Sequence, residues 1–278
     1  MIASIRAEVL RLRKWPAVWV TIGAWLALSL MFGYLFTYLS YTSGDSSFAT
    51  EGATRASLLA EMMPANVPSI FVQGMPMFGG ALMLVLGAMV AGNGYGWGTW
   101  KTVFTQGPSR TSAVVGSLVA LTVFVVATML TSLALDVGLS LLIATTESQA
   151  IVLPTAGAML ESIGVGFLVL EMWALGGFLL GTIARGPALA VGLGLVWALV
   201  IENLLRGVGQ LLSPVEAFTT VLPGTTAGSL VGAVVAGGEG TPGVLDTVGA
   251  GQAAVTVAAY VVVLPLVAVW LVGRRDVA

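Results

Sequence analysis

Charged side chains within apolar stretches are the groups of this chain that could do chemistry. Asp136, Glu171, Glu202 and Arg206 each stand in a run of apolar residues. A charge at the centre of a membrane costs roughly 2.5–3.5 kcal/mol even on a lenient scale, so such groups pair with one another or face a cavity. They are therefore the first candidates for an ion pair, a cation site or a proton-binding site.

Glu171 and Glu202 are predicted to reach a similar depth in the membrane. They stand 14 and 15 residues from Arg185 and Pro187, respectively, at a turn between two apolar stretches. At 1.5 Å per helical residue these separations are about 21 and 22 Å. Arg206 follows Glu202 by four residues, the favourable order for a helical ion pair. We expect a Glu171–Arg206–Glu202 cluster that locks two helices together; alternatives are a site for a cationic substrate group and a proton-coupled role.

Most other catalytic chemistry is excluded by composition. The 278 residues include no Cys and no His, which removes thiol nucleophiles, the histidine of a serine triad and the usual zinc sites. No Gly-x-x-x-x-Gly-Lys-Ser/Thr phosphate loop occurs, so ATP hydrolysis by this chain is not expected. The glycines of residues 91–100 follow an apolar helical stretch rather than a strand, which argues against a dinucleotide fingerprint. We expect no catalytic residue, cofactor or metal in the chain itself.

The composition predicts an all-α integral membrane protein. Hydrophobic residues make up 57% of the chain, charged residues 9%, and the mean hydropathy is +0.99. Soluble domains carry about 25% charged residues, so this chain cannot cover a soluble surface. Its net charge of −2 gives no reason to expect nucleic acid as a partner, whereas lipid is required. We expect a single transmembrane domain over residues 1–278.

Six stretches are predicted to span the membrane, since about 20 helical residues cross the hydrocarbon. The first is longer than the roughly 7–15-residue core of a signal peptide, so we expect it to be retained. The third exceeds a straight crossing and must tilt, kink or project. Arg185-Gly186, followed by Pro187, predicts a tight helical hairpin. The predicted spans are 17–40, 70–91, 113–143, 162–184, 187–207 and 253–272.

The distribution of basic residues predicts the orientation. With six spans, the two termini, residues 92–112 and the turn at 185–186 share one side, which holds nine of the 11 basic residues. Lys and Arg are retained on the cytoplasmic side. We therefore expect both termini in the cytoplasm and, because Arg outnumbers Lys nine to two, a bacterial cell membrane. The opposite side holds the acids Asp45, Glu51, Glu61, Glu147, Glu161, Glu216, Glu239 and Asp246.

Two further segments are predicted to be helical without spanning the membrane. In the first 15 residues an apolar face is predicted opposite a charged one, which favours a helix lying in the interface or simply anchoring the first span. Residues 208–252 contain an apolar stretch, 227–236, that is too short to cross and suggests a re-entrant or interfacial helix packed on other helices. The apolar face comprises Ile2, Ile5, Val9 and Leu12, and the charged face Glu8, Arg11 and Lys14.

Small residues four apart predict close helix contacts. Gly177 and Gly181 form such a pair in the fourth span, as do Ala88 and Gly92 in the second. Such pairs let two helices approach closely, within one subunit or between two. For the fourth span we expect packing within one subunit, against the adjacent hairpin helix.

Residues 93–110 are the most aromatic of the segments predicted to be cytoplasmic. Trp97, Trp100 and Phe104 recur at helical spacing, which predicts one apolar stripe with Lys101 elsewhere on the helix. Gly107-Pro108 would end this helix, and Ser109 would cap the third span. The stripe fits either a helix lying at headgroup level or one that docks in a groove of a soluble partner.

This loop resembles the one after the second span in type-2 ABC transporter permeases. The similarity lies in Gly98-Thr99, a bulky Trp100, Lys101, an apolar pair and Gln-Gly-Pro-Ser-Arg at 106–110. The N-terminal helix, the six spans and the long segment before the last span also resemble that family in outline. Many members carry Glu at the start of the loop, where this chain has Gly-Asn-Gly-Tyr-Gly-Trp.

The resemblance implies a permease that dimerises with a second copy or a paralogue and binds cytosolic ABC ATPase subunits. ATP would be bound by those subunits, and the loop would be the coupling helix, contributing Trp97, Gly98, Thr99, Trp100, Lys101, Phe104 and Arg110. The short helices before the last span would cap the exit of the export pathway. Two other functions stay open: an ion-coupled secondary transporter, which would show inverted repeats, and a membrane scaffold that does not transport.

Overall fold

The computed structural model describes residues 1–44, 53–235 and 241–274, which form helices, turns and no strand. Eleven helices occur in these ranges, numbered here in chain order. They are α1 (Ile2–Lys14), α2 (Pro16–Ser43), α3 (Arg55–Glu61), α4 (Pro64–Gly96), α5 (Thr99–Thr105), α6 (Arg110–Thr146), α7 (Ala156–Ala184), α8 (Pro187–Gly209), α9 (Ser213–Thr219), α10 (Pro223–Gly232) and α11 (Ala250–Arg274).

Six of these helices, α2, α4, α6, α7, α8 and α11, are long and apolar enough to cross a membrane. The prediction of an all-α membrane protein is confirmed at this level. Each observed helix contains its predicted span and most extend it at both ends, because the apolar stretch marks only the part that matches the hydrocarbon. The polar residues Ser109 and Thr155, for example, cap the N-termini of α6 and α7 by accepting backbone hydrogen bonds.

The bundle has two ends, which we name by residues that meet there. At the basal end the Trp15 and Trp97 rings lie 6.0 Å apart and the backbone of Gly92 meets Pro187. At the distal end the Tyr41 hydroxyl bonds to Glu147. The helix α6 joins the two ends as one uninterrupted helix of 37 residues, about 55 Å long, without proline or a π turn. The two commonest local causes of a kink are therefore missing from this span.

Close backbone contact between α4 and α7 forms the centre of the bundle. A Cβ atom at Gly177 would overlap the carbonyl oxygen of Leu84, and one at Gly181 would meet that of Ala88. From the other side, Gly87 lies directly against the carbonyl of Ala174. The two predicted pairs of small residues thus pack on each other within one chain. The expected neighbour of the fourth span was wrong in part: its glycines contact the second span, not its hairpin partner.

The hairpin between α7 and α8 is formed as the sequence predicted. Arg185 adopts a left-handed backbone with φ of 54°, and Pro187 begins α8. Three of the spans contain a π turn, at Met31–Leu35 in α2, Met75–Gly79 in α4 and Trp197–Ile201 in α8. Such turns widen a helix locally and change the direction of the side chains that follow.

The apolar stretch before the last span forms α10, which is buried along most of its length. Side chains at Gly228 and Gly232 would overlap the carbonyl oxygens of Gly243 and Leu245, so both glycines are needed for this contact. The predicted burial of this segment against its neighbours is observed. Several residues of the sequence analysis lie outside the described ranges, namely Asp45, Glu51, Glu239 and residue 236 at the end of the apolar stretch.

Candidate functional site

The short helix α5 is fixed to the basal end of α4 by Trp100. This side chain is only 5% exposed, and its indole N–H donates to the carbonyl of Ala91 at 3.3 Å. Its ring stacks on Phe104, with centroids 5.4 Å apart and planes at 20°. A Cβ atom at Gly94 would overlap the indole, so the tryptophan fits only because residue 94 is glycine. The arrangement gives α5 a rigid base.

The three aromatic residues of this loop do not share one exposed stripe, which corrects the sequence prediction. Trp97 precedes α5, is 66% exposed and contacts the edge of Trp15. Gly98 separates it from α5 and adopts φ of 66°, in the left-handed region that glycine tolerates. Because this turn resets the helical phase, Trp97 points outward while Trp100 and Phe104 face the protein.

The outer surface of α5 is polar. Lys101, Thr102 and Thr105 are exposed, whereas Thr99 is half-buried. The guanidinium of Arg110, the first residue of α6, lies 5.8 Å from the centre of the Phe104 ring. Any partner of α5 would therefore mainly meet Trp97, Lys101 and the two exposed threonines, since Trp100 is buried and Phe104 half-buried.

The N-terminal helix α1 packs against α6 beside α5. The hydroxyls of Ser4 and Ser112 lie 3.1 Å apart. Arg11 pairs with Glu8 at 2.7 Å and donates to the Val90 carbonyl at 3.4 Å. The predicted phase of α1 was right for Ile5, Val9 and Leu12, which are buried or half-buried. It was wrong for Glu8 and Arg11, which are half-buried on the same side of the helix. A cavity of about 700 Å³ opens between α1, α5 and the start of α6.

The predicted cluster of Glu171, Arg206 and Glu202 is not formed. Glu171 accepts a hydrogen bond from Thr122 of α6 at 2.5 Å. Within the described ranges, Arg206 forms no ion pair with either glutamate. The prediction failed because it considered depth alone: Glu171 faces α6, whereas Glu202 lies on the side of α8 that meets α10.

Glu202 instead joins α8 to the N-terminus of α10. Its two carboxylate oxygens accept from the Trp197 indole at 2.9 Å and from the Gly224 backbone N–H at 2.8 Å. A carboxylate at this position complements the helix dipole and one of the free N–H groups. Arg206 donates to Asn203 at 2.6 Å and to Thr225 at 3.4 Å. The sequence signal was Pro223-Gly224, which opens a helix lacking a side-chain cap of its own.

Asp136 is the most isolated of the buried acids. It is 0% exposed, and neither carboxylate oxygen has a hydrogen-bond partner in the described part of the chain. Ser132 and Ser140, one turn away on either side along α6, are also buried. The Tyr34 hydroxyl donates to the backbone carbonyl of Asp136 at 2.9 Å, not to its side chain. The sequence indicated a buried acid here but not that it would lack a partner.

No group of three or more acidic side chains in the described ranges is arranged to hold a metal ion. Comparison with known protein families gave no matching family model, and no curated protein matches the sequence. The architecture defines the class as an α-helical, multi-pass membrane protein.

Proposed function

We propose that this protein is the membrane-spanning subunit of an ATP-driven exporter of the ABC type. It would act as a dimer and bind cytosolic ATPase subunits through α5. The observation that supports this most directly is a short helix between the second and third spans that is anchored rigidly by Trp100. The surface offered to a partner carries Lys101 and, just before the helix, Trp97, which contacts Trp15 and is still 66% exposed.

The charge distribution supports a cytoplasmic location for the basal end. The basic residues of the described ranges concentrate there, and the positive-inside rule retains Lys and Arg in the cytoplasm. This orientation places α1 and α5 where cytosolic ATPase subunits could reach them and places α9 and α10 outside. The basic residues are Arg6, Arg11, Arg13, Lys14, Lys101, Arg110, Arg185 and Arg274.

The packing supplies a path by which a movement of α5 could reach the spans. Trp100 connects α5 to Ala91 in α4, and α4 contacts α7 through glycine backbones. On its other side α5 leads through Ser109 into α6. Since packed helices transmit displacement as rigid elements, closure of the ATPase subunits would move α4, α6 and α7 together. The short helix α10, tied to α8 by Glu202, would lie at the exit.

Site-specific photo-crosslinking tests the proposal in intact cells. A benzophenone amino acid in place of Lys101 should form an adduct with a cytosolic protein that contains an ATP-binding phosphate loop. The same group in place of Val152, which is 60% exposed in the loop before α7, is the control and should not. If position 101 forms an adduct only with proteins that are not ATPases, the exporter is contradicted and a scaffold is favoured. If it forms an adduct only with lipid, α5 is an interfacial helix.

Ion-coupled transport is the second candidate, because buried acids lack partners within the bundle. Both carboxylate oxygens of Asp136 and one of Glu171 have no hydrogen-bond partner among the described residues. Intramembrane acids of this kind commonly mark ion or proton pathways. Uptake or efflux by the protein alone in proteoliposomes, driven by a proton or sodium gradient without ATP, would support this candidate over the exporter.

A further inference from the structure

Two tyrosines and a glutamate form a polar cluster at the distal end of α2 and α6. The Tyr41 hydroxyl donates to one carboxylate oxygen of Glu147 at 2.7 Å, and the Tyr38 hydroxyl to the other at 3.3 Å. The two tyrosine rings lie 6.0 Å apart at 40°. Arg55 lies close enough to Tyr41 to interact with it electrostatically, but within the described ranges it forms no ion pair with Glu147. The cluster thus presents a carboxylate and two aromatic rings, the groups that bind ammonium ions.

An apolar groove runs from this cluster toward the middle of the bundle. Its volume is about 550 Å³, and its walls come from α2, including the π turn, and from the outer half of α6. Tyr38 and Thr146 lie at its distal end. The remaining lining is nearly all apolar, with Ala27, Leu30, Met31, Leu35, Leu139 and Leu142 among it.

The depth of the groove matches one leaflet of a bilayer. Ala27 and Tyr38, the first and last α2 residues of the lining, are 11 residues apart, or about 17 Å along the helix. Half of the hydrocarbon is about 15 Å thick. Glu147 directly follows Thr146, which lines the distal end of the groove, so a headgroup bound there would meet its carboxylate. The apolar and polar parts are arranged like the chain and the head of a lipid.

We propose that this groove binds phosphatidylethanolamine. The protonated amine of the headgroup contacts Glu147 and the faces of Tyr38 and Tyr41, and one acyl chain occupies the groove. The carboxylate disfavours phosphatidylglycerol, which carries a net negative charge and no amine. Phosphatidylcholine, whose trimethylammonium cannot donate a hydrogen bond to Glu147, is expected to be intermediate. The inference concerns a resident lipid and does not depend on the transport function.

Native mass spectrometry of the purified full-length protein tests this assignment. The protein is titrated with phosphatidylethanolamine, phosphatidylcholine and phosphatidylglycerol of identical acyl chains. We expect about tenfold tighter binding of phosphatidylethanolamine than of phosphatidylglycerol, as one charge-assisted hydrogen bond provides. Glu147→Gln should abolish this preference. Leu142→Trp, which fills the groove, should weaken binding of phosphatidylethanolamine itself.

The matched control for the groove is Leu266→Trp. Leu266 is 63% exposed on α11, compared with 57% for Leu142, and does not line the groove. This variant should bind phosphatidylethanolamine as the original protein does. Equal affinities for the three lipids, or a preference that survives Glu147→Gln, would overturn the proposal and indicate unspecific annular lipid. If Leu142→Trp leaves lipid binding unchanged and alters only the oligomeric state, a second copy of the chain occupies the groove, and the proposal is likewise overturned.

Discussion

Glu202 in the fifth span accepts a hydrogen bond from the backbone N–H of Gly224, at 2.8 Å, and so holds the N-terminus of α10. The same carboxylate accepts from Trp197 in the π turn of α8. The buried acid therefore connects a membrane helix to a short distal helix, rather than to the arginine one turn away.

Removing this carboxylate should destabilise the distal end. We expect Glu202→Ala to lower the free energy of unfolding by about 1–3 kcal/mol, because it leaves the Gly224 N–H and the Trp197 indole without an acceptor. The change would be measured as a lower midpoint of thermal unfolding in detergent. Glu216→Ala, at an exposed acid of the neighbouring α9, is the control and should leave the midpoint nearly unchanged.

Arg206 provides a second comparison for the same contact. It forms no ion pair with Glu202, so Arg206→Gln should cost less than Glu202→Ala. Similar losses for the two variants would mean that the charges act as a locking pair after all.

Within α5, we expect Trp100 to anchor the helix and Lys101 to contact the ATPase. Trp100→Ala removes a buried ring and should destabilise the protein, as large-to-small changes in a core cost about 3–5 kcal/mol. Lys101→Glu changes an exposed charge, so it should leave the unfolding midpoint unchanged and weaken co-purification of an ATPase. If Lys101→Glu and Thr102→Glu both leave partner binding intact, α5 is not the docking surface.

The glycine contacts between α4 and α7 predict a position-specific steric effect. Gly181→Leu should prevent the two helices from approaching, because even a Cβ atom there meets the backbone of Ala88 and Gly92. We expect loss of the folded protein in size-exclusion chromatography. Gly192→Leu is the matched control, since Gly192 on α8 is exposed and no atom lies within 4 Å of its Cβ position.

The membrane orientation can be measured cleanly because the chain contains no cysteine. In single-cysteine variants, Val152→Cys should react with an impermeant thiol reagent added to whole cells, whereas Thr105→Cys should react only after the cells are opened. Both positions are exposed in the structure. Labelling of position 105 from outside would reverse the proposed orientation.

The sequence was sufficient to predict the six spans, but it was not sufficient to predict which neighbour each buried side chain faces. Apolar length located all six long helices, since the thickness of the hydrocarbon sets that length directly. Helical spacing failed at Trp97, because the left-handed Gly98 interrupts the helix and no periodicity crosses such a turn. It failed at Glu171 for a different reason: distance along a helix gives depth, whereas the neighbour depends on rotation about the axis and on tertiary packing. The contact between Glu202 and Gly224 joins residues 22 apart, and its only local signal was a helix start without a cap.

The last prediction contrasts Asp136 with Glu171, two buried acids that differ in their partners. Glu171 accepts a hydrogen bond from Thr122, whereas both oxygens of Asp136 are unbonded in the described residues. A buried polar group without a partner costs about 1–3 kcal/mol, and replacing it by an apolar group of similar shape can be stabilising. Asp136→Leu should therefore raise the unfolding midpoint. Glu171→Leu should lower it by removing the hydrogen bond from Thr122, whose hydroxyl then has only the longer contact with the Leu118 carbonyl.

Transport measurements on the same two variants would separate a structural role from a functional one. If the protein is an exporter driven by ATP, the Asp136→Leu variant should retain transport, because the proposed coupling through α5, α4 and α7 does not use this carboxyl group. In an ion-coupled transporter it should abolish transport while the protein becomes more stable, since a group kept at the expense of stability is typical of functional sites. A lower unfolding midpoint for Asp136→Leu would contradict both readings, because it would show that the carboxyl makes a stabilising contact in the membrane.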